Sequence, residues 1–317
     1  MPRLLAARLI DLAVILFGVS VVVFLLIRLV PGDAVAIMLG ANAEVTPERI
    51  AELRGRLGLD LPIHTQYLRW AGAALTGDFG VSIWTGRPVI EEILASIGPT
   101  IELTLLALIF GAVPAVPLGA LMAQWRGGAA DAALRVVSIA GLTIPSFWLG
   151  IVMILALATL APSAPMLGYV PFAQDPLGHV LRLILPAFAL GLPVLANLSR
   201  LVRTAMLEAL SQDYVRTARA KGVGERRVVY RHALRNALIP FVTSLGVMTG
   251  YLLGGAIVVE QVFAIPGLGR LVLGAIAERN YPLIQATILV VTCGFVIVNF
   301  VVDLLYLAID PRLRGAR

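Results

Sequence analysis

The chain has 317 residues, of which 59% are hydrophobic and only 14% are charged, and its mean hydropathy is +0.92. This composition excludes a soluble globular domain, and the sequence lacks the ten-residue alternating segments typical of a membrane β-barrel. The sequence pI near 10 does not indicate a nucleic-acid partner, because the basic residues cluster at the ends of apolar runs without an aromatic stacking platform. The composition therefore predicts an all-α integral membrane protein whose surface contacts lipid.

Six apolar runs are long enough to cross a bilayer as helices. They lie near residues 9–30, 100–124, 134–161, 181–201, 238–259 and 285–308. The first run also resembles a signal sequence, since Ala34-Val35-Ala36 mimics a cleavage site, but its apolar stretch is longer than a signal core usually is. We therefore expect a retained first span and six transmembrane helices in total.

The distribution of basic residues predicts the orientation of these spans. Residues 200–236 contain nine Arg or Lys residues against three carboxylates, whereas residues 162–180 contain no Arg or Lys. Basic residues also lie close to both ends of the chain, at Arg3 and Arg8 and in the tail after residue 310. Because loops rich in Arg and Lys stay on the cytoplasmic side, both termini and residues 200–236 are predicted to be cytoplasmic.

The long segment 31–98 is then an outer segment. Thr46-Pro47-Glu48 is a favourable helix start, with threonine as N-cap and proline at the first helical position, and Gly58 is a favourable stop. This pattern predicts a lateral helix at the membrane surface. The later stretch Gly77-Asp78-Phe79-Gly80-Val81-Ser82 is rich in turn formers and predicts a folded outer loop.

Residues 213–240 read DYVRTARAKGVGERRVVYRHALRNALIP and hold the only lysine of the chain together with six arginines. The helical periodicity places four residues on one face: Leu207, Leu210, Tyr214 and Ala218. Gly222 and Gly224 then interrupt the helix, and a second basic helix over 225–238 leads into Pro240. The pattern predicts a rigid cytoplasmic knob that docks into another protein, although a solvated basic loop resting on anionic lipid is the alternative.

This stretch resembles the cytoplasmic loop of ABC-type import permeases, in which a short helix is followed by a glycine and later by Leu/Ile-Pro. The corresponding positions are Arg216-Thr217-Ala218, Gly222 and Leu238-Ile239-Pro240. The form Asp-Tyr-Val-Arg-Thr-Ala-Arg-Ala-Lys-Gly is that of the dipeptide/oligopeptide/nickel branch. The resemblance implies that the short helix is a coupling helix seated in a groove of an ATP-hydrolysing subunit. The implied coupling residues are Tyr214, Arg216, Ala218, Arg219, Lys221 and Gly222.

The same resemblance extends over nearly the whole chain, to the first of two peptide permeases. The segments that carry it are Leu57-Gly58-Leu59-Asp60, Gly77-Asp78-Phe79-Gly80, Ile144-Pro145-Ser146-Phe147-Trp148, Val258-Val259-Glu260, Phe263, Pro266-Gly267-Leu268-Gly269 and Asp310-Pro311-Arg312. Gly168-Tyr169-Val170-Pro171 departs from the Gly-Trp-Leu-Pro of the family. The resemblance implies a type I ABC importer permease fold in three parts. These are a first helix with an outer segment (1–98), a five-helix core (99–309) that includes the coupling loop 203–240, and a cytoplasmic tail (310–317).

The resemblance also implies partners in a bacterial inner membrane: a second homologous permease, two ATP-binding subunits and a periplasmic substrate-binding protein. A phosphate-binding P-loop needs Gly-Lys-Ser/Thr, and the only lysine, Lys221, stands between Ala220 and Gly222. We therefore expect no cofactor in this chain, with ATP and magnesium bound by the partner subunits, and no enzymatic activity of its own.

Two sets of residues within the spans have more than one interpretation. Gly246, Gly250 and Gly254 recur every four residues and form a small face, which either packs against a helix or lines a pathway. Asp303 lies inside the last span, where it either pairs with a basic residue such as Arg8 or Arg203 or takes part in a proton relay.

Glu260 begins a further group at the predicted outer end of the fifth span. With Phe263, Pro266 and Gly267 it is interpreted as an outer gate, and the alternative is an ordinary charge at the membrane interface.

Two other classes of function fit the sequence less well. An ion-coupled secondary transporter needs several ionisable residues in a relay, and Asp303 has no obvious companions in the sequence. A membrane-embedded enzyme would have to use His64, His179 or His232, which show no metal-binding or catalytic spacing. The sequence thus favours the channel-forming subunit of an ATP-driven peptide importer. It does not distinguish a dipeptide, a longer peptide, glutathione or a nickel chelate as the cargo.

Overall fold

The computed structural model describes residues 2–29, 60–163 and 167–309, and the regular structure of these residues is almost entirely helical. The helices of eight or more residues in these ranges are α1 (Pro2–Leu29), α2 (Ile63–Leu75), α3 (Val89–Gln124), α4 (Ala129–Thr143), α5 (Ser146–Leu160), α6 (Pro176–Leu210), α7 (Asp213–Ala220), α8 (Leu234–Val262), α9 (Leu268–Ala277) and α10 (Tyr281–Ile309). A single helical turn, Glu225–Arg227, and a π-helix, Val228–Ala233, directly precede α8.

The apolar helices agree with the predicted membrane spans. Four helical segments are long and apolar enough to cross a membrane, namely α3, α6, residues 225–262 and residues 281–302, and α4 with α5 can supply a fifth. Helix α1 coincides with the first predicted span. The all-α membrane architecture is therefore confirmed, while the count of six crossings and the side of the termini stay predictions.

The third predicted span, 134–161, is wrong as a single helix. Helices α4 and α5 meet at Ile144 and Pro145 with a bend of 102°. Ile144 has an extended backbone with φ −77° and ψ 119°, which is the conformation that a following proline imposes. The bend therefore has a local cause in the sequence, but its size exceeds the ordinary kink that a proline produces inside a helix.

The described residues fall into two compact units. The first consists of residues up to 97 together with residues 271–296, and the second consists of residues 98–270 together with those from 297 onward. In the second unit, glycines allow α3 and α6 to approach closely. A Cβ atom on Gly119 would lie 2.6 Å from the carbonyl oxygen of Ser199, and one on Gly191 would lie 2.5 Å from the carbonyl oxygen of Ala107. Small residues at such contacts are typical of helix packing in membranes.

In the first unit, α1 packs against the amphipathic helix α2. The ring centroids of Phe24 and Tyr67 are 5.3 Å apart, and those of Phe24 and Trp70 are 5.6 Å apart. Arg28 covers the Phe24 ring at 3.4 Å from its centroid and donates to Gln66 Oε1 at 2.7 Å. Aromatic contacts and a cation–π contact thus fix α2 beside the end of α1.

The predicted outer loop is confirmed as a folded turn. Gly77 and Gly80 adopt positive φ angles of 82° and 80°, and the Asp78 carboxylate accepts a hydrogen bond from the Gly80 N–H at 2.9 Å. The predicted lateral helix over residues 46–58 lies outside the described residues.

Candidate functional site

The segment between α6 and α8 forms a compact unit around the short helix α7. Gly222 follows this helix with a φ of +76°, a left-handed conformation that side chains disfavour. The Gly222 N–H donates to the Arg219 carbonyl at 2.9 Å, and the Val223 N–H donates to the Ala218 carbonyl at 3.1 Å. These two bonds form a Schellman motif, so the predicted interruption at Gly222 is confirmed as a defined helix end.

A small hydrophobic core holds this segment in shape. Val215 and Val228 are fully buried, Ala218 is 8% exposed, and Leu210 and Val223 pack against them. The segment is therefore a folded knob, as predicted, rather than an extended loop.

The predicted buried face of the knob is partly wrong. Helix α6 ends at Leu210 and α7 begins at Asp213, so the helical periodicity assumed across residues 207–218 is interrupted. As a result Val215, not Tyr214, is buried, and Tyr214 is 41% exposed. The Tyr214 hydroxyl accepts a hydrogen bond from Asn236 Nδ2 at 2.8 Å, which ties α7 to the start of α8.

The basic residues of the knob divide into paired and unpaired groups. Arg219 donates to both oxygens of Glu225, at 3.0 and 2.6 Å, and Arg216 lies 3.4 Å from the Asp213 carboxylate. Lys221 is exposed and forms the C-cap of α7. The Arg219–Glu225 pair bridges the Gly222 turn. Because both side chains are exposed to solvent, this ion pair contributes little to stability.

The return from the knob into the membrane is helical, as predicted. The basic helix expected over 225–238 is a single turn and a π-helix that lead directly into α8, and Pro240 lies inside α8. The preceding π-helix, Val228–Ala233, adds one residue to a turn, and such turns are frequent at functional sites. The knob is therefore continuous with the fifth predicted span.

Glu260, at the other end of α8, is fully buried and accepts hydrogen bonds on both carboxylate oxygens. Thr100 Oγ1 donates to Oε1 at 2.6 Å, and the backbone N–H groups of Gly269 and Arg270 donate to Oε2 at 2.7 and 3.1 Å. The Thr100 hydroxyl accepts from the Leu268 N–H at 2.8 Å. Together these groups satisfy the N-terminus of α9, which attracts negative charge.

The other residues of the predicted outer gate surround this carboxylate. Gly267 leaves no room for a side chain, because a Cβ atom there would overlap the Glu260 carboxylate. Phe263 is fully buried, its ring abuts Gly150, and its carbonyl accepts from the Gly168 N–H at 2.8 Å. Pro266 is exposed. The geometry is that of an anchor for the turn between α8 and α9, and the role of these residues as a gate stays a prediction.

The three glycines of the predicted small face do not share one environment. Gly246 and Gly250 are buried, whereas Gly254 is exposed. A Cβ atom on Gly246 would overlap the Val302 side chain of α10, and one on Gly254 would meet no atom within 4 Å. Gly246 therefore serves packing, and Gly254 is free to face a pathway or a partner.

Gly246→Ala should lower the free energy of unfolding by about 1–3 kcal/mol, because the added methyl group overpacks a filled contact. Gly254→Ala adds the same methyl group in open space and should leave stability equal or slightly higher, since alanine favours the helix. Thermal unfolding of both variants in detergent checks this difference. Equal stability of the two variants would contradict the assigned packing.

A buried ion pair near the knob was missed in the sequence. Asp131 in α4 is fully buried and accepts from Arg203 Nε at 2.9 Å and from its terminal nitrogen at 3.0 Å. The Gly127 N–H donates to the same carboxylate at 3.1 Å. Arg203 is thus engaged by Asp131, and the pairing of Asp303 with a basic residue stays a prediction, because the Asp303 side chain lies outside the described part of the chain.

A bundle of bent apolar helices, with a small folded knob between two of its spans, is the architecture of a membrane transport permease. Residues 115–315 match the family described as binding-protein-dependent transport system inner membrane component, and residues 1–104 match its N-terminal component. The chain belongs to this family. It is therefore a multi-pass protein of the bacterial inner membrane and the permease component of a transport system that also uses a binding protein and ATPase subunits.

Similar proteins cover almost the whole chain. The probable peptide ABC transporter permease y4tP of Sinorhizobium fredii is 39% identical over 97% of both chains. The di/tripeptide transport system permease DppB of Pseudomonas aeruginosa is 41% identical over 95% of both. The glutathione transport system permease GsiC of Escherichia coli is 41% identical over 97% of both. Among solved structures, the inward-facing MetNI methionine ABC transporter aligns with a TM-score of 0.56 at 18% identity, covering 69% of this chain and 96% of that chain, which confirms the predicted permease fold.

Proposed function

We propose that this chain forms half of the membrane channel of an ATP-driven importer of di- or oligopeptides. The similarity to permeases named for peptide, di/tripeptide and glutathione transport supports a peptide-like cargo. Glutathione is itself a tripeptide, so the three names share one chemical class. The binding protein delivers the cargo, and the channel opens alternately to each side of the membrane.

The remaining half of the channel comes from a second, homologous permease. The described residues form one such knob, between α6 and α8, whereas an importer with two ATPase subunits needs one docking site for each of them. Two related permeases supply both sites and enclose a pathway between them. ATP and magnesium are bound by the ATPase subunits, which carry out the hydrolysis.

The feature that supports coupling to an ATPase is the folded knob itself. Its internal core holds α7 rigid, and exposed cations surround it, among them Arg216, Lys221, Arg226 and Arg227. A rigid helix can transmit a displacement of the ATPase to α6 and α8, to which short folded connections join it, whereas a mobile loop would absorb that displacement. The exposed cations meet acidic groups on the ATPase surface.

Gly222→Val tests the role of the knob. Valine at a φ of +76° costs about 1–2 kcal/mol or more, although no atom lies within 4 Å of the new Cβ. The ratio of competent to distorted loop should then fall about 5–30-fold, and peptide uptake driven by ATP should fall with it. Uptake and membrane abundance are measured together in the same cells.

Gly224→Val is the matched control. Gly224 also has open space around its Cβ position, but its φ of −61° and ψ of 142° suit any residue. This variant should retain uptake and abundance. Equal uptake by the two valine variants would refute the assigned role of the Gly222 turn.

Deletion of this chain in its host tests the importer function directly. The deletion strain should lose energy-dependent accumulation of a radiolabelled dipeptide or tripeptide, and the intact chain supplied from a plasmid should restore it. Uptake that persists after depletion of ATP but stops on collapse of the proton gradient would contradict the proposal.

A further inference from the structure

Helix α8 presents one exposed stripe along the membrane span. Its members, spaced by three or four residues, are Thr243, Val247, Tyr251, Gly254 and Val258. Residues with this spacing lie on one face of a helix, and other faces of α8 hold buried residues such as Gly246, Leu252 and Ala256. The stripe is therefore a continuous surface that the described residues of this chain leave uncovered.

This stripe differs in chemistry from the exposed stripes of two other spans. The exposed residues of α3 between residues 100 and 120 carry only hydrocarbon side chains: Ile101, Leu105, Ile109, Val113 and Pro117. Those of α6 between residues 177 and 199 are Leu177, Val180, Leu181, Ile184 and Phe188. Such surfaces suit lipid tails, which are equally apolar. The stripe of α8 carries in addition a tyrosine, Tyr251, which is 70% exposed.

Tyr251 lies deep in the span. The end of α8 at Val262 is about 16 Å further along the helix axis. Because the hydrocarbon core of a bilayer is about 30 Å thick, this position is near the middle of the core. Tyrosines that merely anchor a helix lie instead in the belts at the two membrane interfaces.

The Tyr251 hydroxyl has no hydrogen-bond partner among the described residues. By contrast, the hydroxyl of Thr243 on the same stripe donates to the Ile239 carbonyl of its own helix at 3.4 Å, as threonine does in many helices. The tyrosine ring holds its hydroxyl too far from the backbone of its own helix for such a bond. Since an unpaired polar group in hydrocarbon is costly, the Tyr251 hydroxyl requires water or a polar ligand rather than lipid.

We propose that the Tyr251 hydroxyl lines the pathway between the two permeases and hydrogen-bonds to the amide group of the peptide in transit, an inference that rests on the proposed peptide-import function. A phenol both donates and accepts, and each peptide bond offers an acceptor and, except before proline, a donor. Gly254, one turn toward Val262, leaves the space beside it open, because a Cβ atom there would meet no atom within 4 Å. The contact recognises a peptide by its backbone without selecting its side chains.

Cysteine labelling tests whether the stripe meets water. Tyr251→Cys and Ile109→Cys are each combined with Cys293→Ala, which removes the only native cysteine, and the complete importer is treated in membranes with a charged methanethiosulfonate. This reagent reacts with a thiolate, which forms in water and not in hydrocarbon. Tyr251→Cys should therefore be labelled about tenfold or more faster than Ile109→Cys, whose position is 55% exposed on the apolar stripe of α3. Val247→Cys, at a position 62% exposed on the stripe of α8, serves if Tyr251→Cys does not assemble.

Tyr251→Phe tests the contact with the peptide, because it removes the hydroxyl and keeps the ring. The importer and its binding protein are reconstituted in proteoliposomes with a dipeptide or with its ester analogue, in which oxygen replaces the amide N–H and the carbonyl is a weaker acceptor. The uptake of each compound is divided by the binding protein's occupancy with it. Tyr251→Phe should lower the ratio of dipeptide uptake to ester uptake about 2–13-fold relative to the wild type. Uptake of the ester should remain, which shows that the variant complex is folded.

Two results would overturn the inference while the proposed function stands. The first is a wild type that takes up the dipeptide while Tyr251→Cys and Val247→Cys react no faster than Ile109→Cys, since lipid or the second permease then covers the stripe. The second is an equal uptake ratio in the wild type and in Tyr251→Phe. If the wild type takes up no dipeptide, the proposed function fails and the inference fails with it.

Discussion

Glu260→Ala should lower the free energy of unfolding by about 3 kcal/mol or more, because it removes the acceptor of the Thr100 hydroxyl and of two backbone N–H groups, and each buried donor left without an acceptor costs ~1–3 kcal/mol. The lost charge at the N-terminus of α9 adds to this effect. The loss should appear as a lower Tm of the purified complex, followed by tryptophan fluorescence.

Two comparisons show whether the loss comes from the hydrogen-bond network. Glu260→Gln keeps one acceptor oxygen and should cost less than the alanine variant. Glu278→Ala removes a carboxylate at an exposed position and should change stability by no more than about 0.5 kcal/mol. A Glu260→Ala protein as stable as Glu278→Ala would show that the carboxylate does not hold the turn between α8 and α9.

Asp131→Ala should cause a similarly severe loss, seen as a several-fold lower yield of folded complex. The substitution leaves the Arg203 guanidinium, which is 19% exposed, without its carboxylate partner. Breaking a buried ion pair at one end destabilises a protein more than removing both partners, because the remaining charge is uncompensated. Asp131→Ala/Arg203→Ala should therefore be less impaired than the sum of the two single variants.

The yield and Tm of the complex are measured for the wild type, the two single variants and the double variant. Additive effects of the two substitutions would mean that the side chains do not interact. Arg135, which is 3.5 Å from the same carboxylate and 48% exposed, provides the control. Arg135→Ala should have little effect, since exposed ion pairs contribute ~0–1 kcal/mol.

The parts of the fold that follow local patterns could be predicted from the sequence. Apolar runs marked the spans, and Gly222 marked the end of α7, because a hydrophobic run or a glycine acts on its own neighbours. The buried face of the knob was predicted less well. The interruption at Ser211 and Gln212 shifts the helical register, which places Val215 rather than Tyr214 in the core.

The polar contacts that organise the bundle could not be predicted in this way. Thr100 and Glu260 are 160 positions apart, and Asp131 and Arg203 are 72 positions apart. No local pattern indicates such partners, since only the tertiary packing brings them together. Glu260 was singled out in the sequence as a candidate gate residue, but its saturated hydrogen bonds are visible only in the structure.

Purification of the tagged chain from its host in mild detergent tests whether it works as the permease of an ATP-driven peptide importer. ATP hydrolysis is then assayed with and without the peptide-loaded binding protein. We expect a second permease and ATPase subunits to co-purify, and the loaded binding protein to increase hydrolysis. A folded chain that purifies alone in quantity, without ATPase activity, would contradict this function.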